Sequence, residues 1–154
     1  MEKVRSLVFE ANEDVKRADH LASVTYKLVA ETKLLMIIVE NLQKALLRGM
    51  QALMRYDLIY KRIPSIPENM QARLRLFKEE TAKRYNISQE HILLIKDINE
   101  LIEKRKASQV EFVRKDKFVI ASPDYRLRSL DINKVKEYTE KTNMFISKVS
   151  HLLQ

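Results

Sequence analysis

One glycine and three prolines in 154 residues leave this chain few ways to turn sharply. Sheet-rich folds need many tight turns, and glycine and proline supply most of the backbone angles those turns require. A chain this poor in both is built from few, long elements, and long elements are helices. The length fits one domain, residues 1–154, with one sizeable core. Hydrophobic residues make up 45% and charged residues 32%, a balance of neither a membrane protein nor a disordered tail. With no cysteine, a disulfide framework and thiol chemistry are excluded. The N-terminal stretch MEKVRSLVFEANEDVKR has no apolar signal core. The longest apolar run, LLMIIV at 34–39, is far too short to span a bilayer. These features predict a cytoplasmic protein with no membrane partner.

Hydrophobic spacing orders the elements. Residues 3–29 carry a helical stripe of Val4, Val8, Ala11, Val15, Ala18, Ala22, Thr25 and Val29. A second line, Leu21, Val24 and Leu28, widens this face enough to suit two neighbours or a second subunit. Residues 32–61 carry Leu35, Val39, Leu42, Leu46, Gly49 and Leu53. The two stripes lie about 120° apart around a straight helix, so one continuous helix could not bury both. The phase break predicts a reversal at 30–33 and an antiparallel hairpin with arms of about 40–45 Å. Gly49 sits on the buried line at a cost to helix stability, which predicts a close helix crossing there.

RIPSIP at 62–67 breaks the second helix. A third helix follows to about residue 85, with Ser65 and Glu68 spaced as a capping box and Pro67 in its first turn. Ser88 caps a fourth helix to about residue 106, with Ile92, Ile95, Ile98 and Ile102 inward beside Leu94 and Leu101. KFVIAS at 117–122 and YRLRSL at 125–130 read as a small hairpin around a type I turn at Ser122, Pro123, Asp124 and Tyr125. Asp131 caps a last helix to about residue 152, with Ile132, Val135, Tyr138, Thr142, Phe145, Ile146 and Val149 inward. The expected fold is mainly all-α. Residues 1–106 form the bundle core, 107–130 a basic β-hairpin insertion, and 131–154 a closing helix.

The formal net charge of +8 suits an acidic partner, most commonly nucleic acid. Between 104 and 128 stand Lys104, Arg105, Lys106, Arg114, Lys115, Lys117, Arg126 and Arg128, against Glu111, Asp116 and Asp124. Phe112, Phe118 and Tyr125 are interleaved, and cationic strands with aromatics suit phosphate contact and base stacking. Arg73, Arg75, Lys78, Lys83 and Arg84 form a second basic line on the third helix. The three His have no metal-ligand spacing, and one glycine cannot build a phosphate loop, so no metal or cofactor is expected. One catalytic pair is conceivable. Arg84 ends the third helix, and His91 opens the fourth after six intervening residues. A neutral imidazole at a helix N-terminus could accept a proton from a ribose 2′-hydroxyl, and a nearby guanidinium could stabilise the charge at phosphorus. With twelve Arg and three His, such a spacing arises by chance in roughly half of chains of this composition.

The stretches FEANEDVKRADHLASVTYKLV (9–29) and NLQKALLRGMQALMRYD (41–57) resemble the HEPN superfamily of helical nucleotide-binding domains. The likeness covers about residues 1–105. EFVRKDKFVIASPDYRL (111–127) with the closing helix looks like a tail of archaeal relatives. The resemblance implies a bundle of four or five helices, often a homodimer through the long hairpin. It also implies RNA cleavage in many members through an Arg and a His with four to six residues between them, which Arg84 and His91 fit. Where the family commonly has a polar residue after that Arg, this chain has Tyr85. Three readings are open: a non-catalytic bundle contacting RNA or an RNA–protein assembly, a metal-independent endoribonuclease of toxin type, and a protein-interaction or scaffold subunit.

Overall fold

The protein is described by a computed structural model covering residues 1–108, 110–121 and 127–154, with the backbone alone at Val110. Helix α1 (2–29) runs as Glu2–His20, a π turn at Leu21–Thr25, and Tyr26–Val29. The reversal falls where the stripe phases place it. Ala30 takes the left-handed conformation at φ 51°, and α2 (Leu34–Ile59) returns antiparallel. Helix α3 (70–84) contains a second π turn at Phe77–Thr81. Helices α4 (Gln89–Ala107) and α5 (Ile132–Leu152) complete the bundle. Strands β1 (Val110–Arg114), β2 (Lys117–Ala121) and β3 (Leu127–Leu130) form an antiparallel sheet in that order, before α5. No helix among the described residues is long and apolar enough to cross a membrane.

Helix α2 is the centre of the core. The expected stripe is buried, and so are Met36, Ile38, Ala45, Met50, Ala52 and Met54 on other sides. Ile37, Lys44 and Ile59 are the exposed residues of this helix, with half-buried ones such as Glu40, Arg48 and Gln51 beside them. A helix apolar nearly all round must be enclosed, and α1, α4 and α5 enclose it. Gly49 meets the expectation of a close crossing. A Cβ there would stand 2.7 Å from Cδ1 of Ile146 and 3.0 Å from Cε2 of Phe145, both on α5.

Three local readings are revised. The π turn of α1, where the Tyr26 N–H bonds to the carbonyl of Leu21, adds a residue to one turn and rotates the helix beyond it. Val29, expected inward, is therefore exposed, as are Val24 and Leu28, the latter at 81%. Earlier on α1, Leu7 and Asp14 are buried while Val8 is only partly so. The N-cap of α3 is Asn69, whose Oδ1 accepts from the Ala72 N–H at 3.0 Å, and not Ser65. Pro64 and Pro67 disfavour helix at the residues before them, and buried Ile63 anchors this segment to the core. Finally, the expected hairpin is β2 and β3 of a three-stranded sheet. Its turn at 122–125 lies outside the described residues, and β1 is an additional strand. Ser88 and Asp131 cap α4 and α5 as read, accepting from the N–H groups of His91 and Lys134.

Gly49→Val places two methyl groups into the α2–α5 contact. Its unfolding free energy should fall by about 2 kcal/mol or more, although the change removes a helix glycine. Urea denaturation followed by circular dichroism measures this; an unchanged midpoint would show that the crossing has room.

Candidate nucleic-acid interface

Arg84 and His91 leave their shared turn in different directions. Arg84, in the last turn of α3, is ion-paired through Nη1 with Oδ2 of Asp57 on α2, and Nη2 lies 3.6 Å from Glu80. Asp57 is 0% exposed. It also accepts from the Thr81 hydroxyl at 2.9 Å and the Tyr85 hydroxyl at 2.5 Å. Arg62 closes the other side, donating to the Tyr85 hydroxyl at 2.8 Å and lying over the rings of Tyr56 and Tyr60. Burial and the bond to Asp57 push the Tyr85 hydroxyl up to about 12. The guanidinium of Arg84 is thus engaged by a carboxylate and not left free for a phosphoryl group.

His91 opens α4 with its ring buried edge-on to Phe145 of α5, centroids 5.7 Å apart. Nδ1 is enclosed without a hydrogen-bond partner among the described residues. Burial lowers its pKa; Lys148 and Lys141 press in the same direction, and Glu90 opposes them. The lowered pKa favours the neutral imidazole, and desolvation, not the helix N-terminus, is the largest cause. No hydrogen bond or ion pair among the described residues joins His91 to Arg84. No group of three or more His, Asp or Glu side chains among them could hold a metal ion.

The basic residues around the sheet divide into engaged and free. Arg105 is engaged: Nη1 reaches Glu40 at 2.6 Å, Nε reaches Glu111 at 3.1 Å, and the guanidinium lies over Phe118. It fastens the sheet to the bundle. Lys106 has an exposed contact with Glu103, and Lys104 is exposed. Register sorts the strands. Phe118, Ile120 and Leu130 share the inner face and are buried, and Arg128 opposite Ile120 lies on that face too. The outer face carries Phe112, Arg114, Lys117, Val119, Leu127 and Ser129, with Lys115 at its turn. Of the aromatics expected to stack, Phe112 is exposed, Phe118 is core, and Tyr125 lies outside the described residues, as does Arg126. On α3, Arg73 is held by the carbonyls of Pro67 and Glu68, at 2.9 and 3.2 Å, while Arg75, Lys78 and Lys83 are exposed.

The reading from spacing missed the Asp57 network. Its signal was a carboxylate four residues after Leu53 on the buried line of α2, where an ionised group needs partners. Asp14 repeats the pattern on α1, buried and paired with Arg48 at 2.5 Å and Arg17 at 3.2 Å.

Against known proteins, no family model, no curated protein and no solved structure matches the chain.

Two outcomes are expected. Asp57→Ala strands Arg84 and Arg62 beside a buried gap. It should cost about 3 kcal/mol in chemical denaturation, at the low end for a buried pair because Arg84 keeps access to water. For His91, a lowered folded pKa means that the unfolded chain binds the proton first. Stability is then complete above about pH 6.5 and falls as pH drops below it. Thermal melts should show wild type losing more stability on acidification than His91→Leu; parallel pH profiles would contradict this.

Proposed function

We propose that the protein is a non-catalytic helical bundle that contacts RNA, alone or within an RNA–protein assembly. The carrying observation is the cationic end of the sheet. Arg114, Lys115 and Lys117 lie together at the surface without an ion pair among the described residues. Three cations in one turn, against the single carboxylate of Asp116 there, attract a polyanion and release its counterions on binding. The resemblance of the long hairpin to HEPN domains supports the same reading. So does the engagement of Arg84 by Asp57, because a catalytic role would require Arg84 to leave that carboxylate and His91 to leave Phe145. Endoribonuclease activity by this pair is the alternative. A protein-interaction subunit, with charge serving only solubility, is the third reading. A second copy is proposed as a further partner, on Val24, Leu28, Val29 and Ile37, which are exposed around the reversal.

Titrating single-stranded RNA against the protein at several salt concentrations tests the reading. Affinity should fall steeply with salt, and RNA incubated in EDTA should stay intact. A salt-independent affinity or no binding favours the interaction subunit. Cleavage in EDTA that His91→Ala abolishes favours the nuclease. Sedimentation of the free protein reads the dimer, which Leu28→Glu should dissociate.

A further inference from the structure

The outer face of the sheet contains a contradiction that a ligand would resolve. Arg114 and Lys117 are register partners, so two like charges stand directly opposite each other across β1 and β2. Such pairs destabilise a sheet unless an anion lies between them. Asp116, in the intervening turn, pairs with neither. Beside the cations the same face is apolar. Phe112 is 39% and Leu127 67% exposed, with Val119, itself buried, between them. Together these residues line a shallow concavity of about 350 Å³.

We infer that this face holds single-stranded RNA, with one phosphate between Arg114 and Lys117 and the base of that nucleotide stacked on Phe112. This deepens the RNA-contact reading and rests on it. Phe112 and Arg114 are two residues apart on one strand face, about 6.6 Å along the chain, which matches the reach from a phosphate to its own base. A duplex keeps its bases stacked inside and presents backbone and 2′-hydroxyls, so it would use the cations and leave Phe112 and Leu127 uncovered. An unpaired strand offers a base to the ring and a phosphate to the cations together. A purely acidic peptide such as polyglutamate would answer the charges but has no ring to stack on Phe112.

The test uses the full chain with an oligoadenylate, an RNA duplex of equal length, and polyglutamate as competitor. The single strand should bind more tightly than the duplex. Phe112→Ala should weaken single-strand binding roughly tenfold, the order expected for one stacked base. Lys117→Thr should reduce the salt dependence by about 0.7 in log–log slope, one phosphate contact. It should also keep or raise the melting temperature, because the like-charge pair is relieved; a purely structural role would lower it. The charge-matched control Lys16→Ser should bind as wild type. If Phe112→Ala loosens the sheet, the Lys117→Thr arm still decides. Equal affinity for duplex, no effect of either variant, or displacement by polyglutamate as effective as by RNA overturns the site. Salt-dependent RNA binding that ignores both variants overturns the site alone; loss of salt-dependent binding altogether overturns the RNA-contact reading with it.

Discussion

Enclosure of helix α2 is the condition on which the rest of the molecule depends. A helix apolar on nearly every side gains from burial only when neighbours cover it all round, at roughly 25 cal/mol per Å² of apolar surface removed from water. The other elements can be understood as that cover. Helix α1 reverses onto one side, α5 approaches at Gly49 closely enough to exclude even a methyl group, and α4 lies along a third side. The inner face of the sheet continues the same apolar cluster through Phe118, Ile120 and Leu130. The single glycine therefore stands where two helices touch and not at a turn. The reversals among the described residues are made in the left-handed region by Ala30, Lys61 and Lys115, which adopt it with strain, and by Asn86, which adopts it more readily.

A buried helix also constrains its polar groups. Asp57 and Asn41 are within the enclosed part of α2, and each has its oxygens or amide satisfied. Asp57 goes furthest, collecting Thr81, Arg84 and Tyr85 from the end of α3, with Arg62 folded back from beyond α2. Removing a carboxylate from water is costly unless such partners are present. The network therefore joins the ends of α2 and α3 in one arrangement, and it consumes the guanidinium that spacing alone would offer to a substrate.

Where local chemistry decides, the sequence was readable. The stripe phases placed the reversal at 30–33, Ser88 and Asp131 announced their helices, and Gly49 announced a crossing. Where the deciding contact lies far along the chain or breaks a local preference, it was not. LASVT at 21–25 contains no helix breaker, so nothing in it marks a π turn or the loss of Val29 from the core. Strand β1 is hidden because its hairpin to β2 turns through Lys115 and Asp116, with Lys115 at φ 58° where glycine or asparagine is usual. The basic residues were visible, but their fates were not: Arg105 and Arg73 look as available as Arg114 until Glu40, Glu111 and the carbonyls of the proline segment are seen beside them. The turn at Arg84 and His91 was legible as a spacing, whereas Asp57 and Phe145, which govern the two side chains, lie 27 and 54 residues away.

The bridge from Arg105 to Glu40 has a geometric consequence. It fixes the sheet beside the first half of α2, while Asp57 holds the Arg84 turn at the other end. Seventeen residues of helix separate these two anchors, about 26 Å at 1.5 Å per residue. Helix α2 thus serves as a rigid ruler between a cationic surface and a sequestered arginine. A strand seated on the sheet would have to run the length of the bundle to meet Arg84 on the same molecule, so occupancy of the one surface carries no proximity to the other.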